Sequence, residues 1–214
     1  MATWTRVMPD WQIVRWDEAN FDIASAPLYV RQAYEVKKFA FVADYVRLYA
    51  LRQMGGVYMD VDVEVVRPFD ELLHNHAFMG FEENKFRSVG TCLIGSEAGT
   101  AWLEEQLAYY QDRPFILEDG SYDMTTNSVI ISRNLEQHGF VRNGEEQVVS
   151  NIHIYDFHHF SPLTSTRVMR ANSNTYAIHH YAESWKAQGD RKPYHAPIVN
   201  EAINAMIQVK RLFE

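Results

Sequence analysis

The sequence predicts one α/β domain, residues 1–214, built on a mixed sheet. Three observations carry that expectation. Short β-branched segments alternate with segments of helical period, and no internal repeat, low-complexity run or interdomain linker interrupts them. A hydrophobic fraction of 47% with 14% aromatics is enough to fill one sizeable core.

Taken in order, Trp11-Gln12-Ile13-Val14-Arg15-Trp16 reads as a short strand and Asp17-Glu18-Ala19-Asn20 as the turn that ends it. From 28 to 54 the period is helical: Phe39, Ala43, Val46 and Ala50 form one side, and Ala40, Leu48 and Leu51 widen the apolar face. Asp44 and Arg47 stand three apart on this otherwise apolar helix. They are either an intrahelical ion pair worth a few tenths of a kcal/mol, or ligand-binding groups.

Gly55-Gly56 stops the helix, and Val57-Tyr58-Met59-Asp60-Val61-Asp62-Val63-Glu64 reads as one strand closed by Arg67-Pro68. Alternation puts Asp60, Asp62 and Glu64 on one side, with neighbouring acids roughly 7 Å apart. Like charges so placed oppose folding unless a cation sits between them. The alternative is a solvated acidic face, but the Gly-Gly stop and the surrounding valines favour an interior strand whose end opens onto a divalent-metal site.

Residues 69–73 read as a helical turn, 78–81 and 90–94 as strands, and 100–110 as a helix capped by Thr100 or Gly99. The polar segment 111–126 is a surface connection, a lid or a loop facing an acceptor. Strands are expected at 128–132, 152–157 and 176–180, a polar turn at His158-His159, and a core-packing helix from 197 to 213. Of the adjacent pair His179-His180, strand alternation lets one imidazole reach a given site, and His180 is the choice; a structural, hydrogen-bonded role is the alternative. Cys92, the one cysteine, lies in an apolar stretch as a buried thiol, so no disulfide forms within the chain.

The formal net charge of -8 argues against nucleic acid as a partner, so an anionic ligand needs a bridging cation or local hydrogen-bond donors. No apolar run is long enough for a bilayer span, and the first residues lack a signal-peptide core. The expected location is cytoplasmic, with at most peripheral membrane association.

Three motifs stand in order: Phe41-Val42-Ala43-Asp44-Tyr45-Val46-Arg47-Leu48-Tyr49, the Gly55-Gly56-Val57-Tyr58-Met59-Asp60-Val61-Asp62-Val63-Glu64 block, and His179-His180 followed by Ser184-Trp185. Together they resemble glycosyltransferase family thirty-two, the D-x-D sugar transferases that include capsular and lipopolysaccharide enzymes and, distantly, the clostridial glucosylating toxins. The likeness runs from about Val7 to Trp185. It implies a GT-A fold, a UDP- or GDP-sugar, Mn2+ or Mg2+, and transfer of a hexose with retention to a polysaccharide or glycolipid acceptor.

By position, the resemblance makes Asp44, Arg47, Asp60 and Asp62 the catalytic set. Asp44, Arg47, Tyr58 and Asp60 would hold the sugar nucleotide, Asp62 with Asp60 would take the metal, and His180 and Ser184 would complete the metal and phosphate shell. Trp185 would donate its indole N–H toward the leaving phosphate. Family members also begin with a central strand of the form Ile-Pro-Lys-Ile-Ile-His-x-x-Trp that helps hold the base, and nothing in this chain matches it. A truncated chain, a strand supplied by a partner molecule and a protein that binds sugar nucleotides without turnover each fit that departure. A metal-dependent hydrolase using Asp60, Asp62 and His180 is a further alternative.

Overall fold

The computed structural model describes residues 2–83, 87–164 and 166–182, together with the backbone of 206–211. The architecture is α/β with a mixed sheet, as expected and consistent with a GT-A-like fold. Strands β1 (Trp11–Trp16), β2 (Gly56–Met59), β4 (Ala77–Phe81), β5 (Val89–Ser96), β6 (Gln147–Val149), β7 (Ile152–Tyr155) and β9 (Met206–Arg211) form one sheet of order β1-β9-β2-β5-β4-β7-β6. Among the described residues only β4 and β7 pair in parallel. A separate ribbon pairs β3 (Val63–Val65) with β8 (Ala177–His179).

Alternation along the strands divides the core in two. Tyr58, Met79 and Phe81 join the apolar layer of α2 (Leu28–Glu35), α3 (Phe39–Met54), α4 (Ala101–Ala108) and α5 (Asn127–Gln137). Val57, Met59 and Phe78 face the opposite layer, where α1 (Ala2–Val7), the β3-β8 ribbon and the short α6 (Phe157–Phe160) contribute Trp4, Val63, Val65, Phe160 and Ala177. The sheet is thus covered on both faces, which suits near-continuous apolar strands.

Four expectations are corrected. The helix expected from 28 to 54 is two helices, because the backbone turns through a left-handed residue at Lys37, φ 59°, before α3 starts. The single acidic strand is two strands: β2 ends at Met59, Asp60 donates its N–H to the Cys92 carbonyl at 2.8 Å, and Val63 N–H bonds the Asp60 carbonyl at 3.0 Å to close a tight turn. The segment 128–132 lies inside helix α5, since the apolar run Val129-Ile130-Ile131 continues in helical period to buried Leu135. Within 197–213, residues 206–211 form a strand instead of a helix, and the rest lie outside the described residues.

That strand occupies the place between β1 and β2, antiparallel to both. Backbone groups on each side of it would otherwise lack ladder partners in the middle of a sheet, a cost folded chains avoid. At the other side of β2, Gly55 makes the abrupt joint with α3: its φ is +63°, and a Cβ there would stand 2.8 Å from the Ala98 nitrogen. One residue joins them, so α3 turns back along β2, and its middle, at Arg47, lies beside Asp60.

Gln208 is flanked by Val14 on one side and Tyr58 on the other. Replacing it with Pro removes a ladder N–H between two strands and is expected to destabilise the protein by about 1–3 kcal/mol. Urea denaturation checks this, and an unchanged midpoint would mean that β9 does not hold the sheet together.

Candidate metal and donor site

The sheet end that follows β2 collects the polar residues singled out in the sequence. Arg47 projects from α3 and is 6% exposed, so its charge must be compensated. Its guanidinium stands 3.0 Å from Asp44 and 3.6 Å from Asp60, donates to the Thr91 carbonyl at 2.5 Å, and lies 4.7 Å from the centre of the Tyr58 ring. Tyr58 in turn donates its hydroxyl to the same Asp60 oxygen at 2.5 Å. Burial alone would discharge Arg47, but the groups around it, Tyr58, Asp60 and Asp44, hold its pKa above the ordinary value.

Asp44 is buried, and burial pushes its carboxyl up, against the opposing pull of Arg47 and of the Asn127 N–H at 2.9 Å. Asn127 opens α5 and was not anticipated. Its side-chain nitrogen donates to the Tyr110 hydroxyl at 2.8 Å, while its Oδ1 is buried with no hydrogen-bond partner. A buried amide oxygen without a partner, on a residue bonded to Asp44, is a candidate acceptor for a ligand hydroxyl. Thr125-Thr126-Asn127 ahead of an apolar helical run is a helix-start signature, which is the sequence signal that marks it.

On the other side of Asp60, the tight turn brings in Asp62. The imidazole that joins the two acids is His179, not His180 as expected. Cross-strand pairing sets the parity: His179 lies opposite Val63 and Ala177 opposite Val65, so all four share the inward side. His180 points the other way and pairs with Glu64 at 2.9 Å. Glu64 is therefore not on the side shared by Asp60 and Asp62. Ser184 and Trp185 lie outside the described residues.

Asp60, Asp62 and His179 can each offer one ligand atom, with all three atoms within 4.8 Å of one another. His179 Nε2 is 3.4 Å from Asp62 Oδ1, and the Ala182 N–H donates to Asp62 Oδ2 at 2.8 Å. His179 Nδ1 is buried and makes no hydrogen bond of ordinary geometry; the Cys92 thiol lies beside it. Burial tends to raise the Asp62 pKa, but His179 and the Ala182 N–H more than offset it and hold the carboxyl at about 2. Burial acts against charge on His179 too, and Cys92 and Asp62 outweigh it and raise its pKa above the ordinary imidazole value, so a metal bound there would displace a proton. Two carboxylates and one imidazole, part-exposed and converging, form a donor set that fits Mn2+ and accommodates Mg2+.

Residues 1–79, which carry Asp44, Arg47, Tyr58, Asp60 and Asp62, match the family described as glycosyltransferase sugar-binding region containing DXD motif. Over these residues the chain is similar to the D-x-D sugar transferases. Among curated proteins it is similar to glucan organizing enzyme 1 of Cryptococcus neoformans var. grubii, 36% identical over 84 residues, which is 36% of this chain and 23% of that protein. The chain thus matches under a quarter of that relative's length. No solved structure matches it. The family thirty-two-like match covers the acid-arginine half of the site, and His179 and Asn127 come to it from beyond the matched residues.

Two measurements test this geometry. His179→Ala is expected to weaken Mn2+ binding about tenfold or more, whereas His180→Ala leaves it within about twofold, as read by Mn2+ electron paramagnetic resonance; equal effects would put both histidines on the same footing. The depressed Asp62 pKa also makes a stability statement. With an unfolded value near 4 and a folded value about 2, its contribution, on the order of 2 kcal/mol, is present at neutral pH and is lost as pH falls from about 4 toward 2. The stability gap between the metal-free wild type and Asp62→Asn should therefore narrow on acidification through that window, and a gap that widens in urea titrations would contradict the assigned pairing.

Proposed function

We propose that the protein is a metal-dependent glycosyltransferase that moves a hexose from a UDP- or GDP-sugar to a polysaccharide or glycolipid acceptor with retention. The observation that carries this reading is the convergence of Asp60, Asp62 and His179 within 4.8 Å, one residue of which is also 3.6 Å from Arg47. The family match over residues 1–79 and the glucan-related name of the fungal relative support a sugar nucleotide on one side and a glycan on the other.

In this reading Asp60, Asp62 and His179 hold Mn2+ or Mg2+, and the ion when bound supplies positive charge to the diphosphate that leaves. Asp44 and the Asn127 Oδ1 accept hydrogen bonds from hydroxyls of the transferred sugar. Arg47, fixed by Asp44, Asp60 and the Thr91 carbonyl, donates to the same sugar and cannot lose its proton. Tyr58 orients Asp60 through its hydroxyl. A negative charge held close to the anomeric carbon favours the oxocarbenium-like character that develops there. Ser184 and Trp185 keep their proposed places on the phosphates.

A second reading is a module that binds sugar nucleotides without turnover. It draws on the absence of the family's base-contacting opening motif from this sequence, while β9 fills the place between β1 and β2, antiparallel to both.

Thermal shift with UDP and GDP, with and without Mn2+, tests the site. The expected result is stabilisation of about 2–3 kcal/mol at a hundredfold excess over the dissociation constant, seen only with metal and abolished by Asp62→Asn. Stabilisation that survives a chelator unchanged would overturn the metal role. Slow hydrolysis of the sugar nucleotide separates the transferase from the silent binding module.

A further inference from the structure

Residues 111–126 carry three large apolar side chains into solvent, Leu117 at 40%, Tyr122 at 39% and Met124 at 43% exposure. The loop that bears them is not slack. Ile116 bridges Tyr122, Leu117 N–H bonds the Ser121 carbonyl at 2.8 Å, and Asp123 N–H bonds the Phe115 carbonyl at 2.8 Å, which makes 115–123 a small hairpin. Its base is pinned from inside: Gln32 Oε1 accepts the N–H groups of Phe115 and Ile116 at 2.8 and 3.1 Å, and Tyr29 donates its hydroxyl to the Asp123 carbonyl at 3.1 Å. Tyr122 lies flat on buried Phe115, ring centres 5.4 Å apart at 16°, so one face is covered and its orientation is set.

The hairpin also has a defined place relative to the site. Phe115 packs on Phe41 at 5.3 Å and the Lys38 ammonium stands 5.8 Å from the Tyr122 centroid, both at the N-terminal end of α3. One turn further along α3 stands Asp44, which holds Arg47 at 3.0 Å, and Arg47 reaches Asp60 at 3.6 Å. Four residues after Asp123, the same segment delivers the Asn127 N–H to Asp44 at 2.9 Å. A rigid apolar ledge therefore borders the sugar site by direct chain continuity.

We propose that Tyr122, with Leu117 and Met124, is a binding platform for a pyranose ring of the acceptor glycan. This rests on the transferase reading given above. An exposed aromatic face attracts the polarised C–H bonds of a sugar ring, while hydroxyls at the ring's edge need polar neighbours. Lys38 supplies an N–H donor, and Glu118, Asp119 and Ser121 border the ledge with acceptors. Size selects the ligand. A stable protein partner covers about 800 Å² per side, far beyond three side chains, whereas one or two sugar rings match such a ledge. Exposed apolar side chains on an anchored loop are otherwise a solubility cost.

The test is saturation-transfer NMR with a panel of short glucose and mannose oligosaccharides, run beside the UDP, GDP and Mn2+ thermal shift. Tyr122→Ala is expected to weaken the panel's best binder about tenfold and Tyr122→Trp to retain it, with the nucleotide and metal shift unchanged in both. Equal oligosaccharide affinity in wild type and Tyr122→Ala would overturn the platform, as would a panel that shows no binding while the nucleotide shift is present. Oligosaccharide binding that depends on Tyr122 without any nucleotide shift would keep the platform and sink the transferase reading instead.

Discussion

One buried positive charge organises this molecule. Arg47 sits inside the protein and needs opposite charge and hydrogen-bond acceptors at fixed positions, because an unpaired ion there would cost several kcal/mol. Asp44 from its own helix, Asp60 from the turn after β2 and the Thr91 carbonyl from β5 meet that need together. The demand ties a helix, a turn and a strand to one point. It also leaves Asp60 with a free direction, toward Asp62 and His179. A structural obligation in the helix layer and a ligand site at the sheet end thus share one carboxylate.

Such a pair is not a source of net stability, since replacing it by apolar groups of the same shape would cost little or even stabilise. Its presence is better explained by what it holds in place. Burial lifts the Asp44 carboxyl while the Asn127 N–H and Arg47 pull the other way, so an acid stays poised among fixed donors. Preorganised groups of that sort need no rearrangement when a polar ligand arrives.

How much of this was legible in the sequence follows from the range of the forces involved. Asp44 and Arg47 stand out because a helix of apolar period makes any internal charge conspicuous, and Asp60 and Asp62 because a glycine stop and a valine run frame them. These are local signals. The histidine was misplaced because Ile178 looks like the inward residue of its strand, whereas pairing with Val63 and Val65 puts Ala177 and His179 inside. Parity belongs to the partner strand, not to the segment itself. The split of the acidic strand has a similar origin, since the Cys92 carbonyl that takes the last rung at Asp60 is remote in sequence. Asn127 reaches Asp44 across 83 positions and leaves no mark in composition. The short run at 129–131 was ambiguous by period alone, and the helix wins through Leu135 one turn further on.

The sheet's topology carries a consequence for how the chain folds. Trp11 pairs with Arg211, far away in sequence, and the strand that bridges β1 to β2 follows every other described element in chain order. Until it pairs, β1 has no hydrogen-bonded neighbour, and the flank of β2 stands open to any extended peptide nearby. Closure of so distant a pair is slow, since loop entropy is lost before the contact is gained. The sheet is thus completed by a pairing across nearly the whole of this sequence, and a chain that has not yet made it carries an open strand flank at its centre.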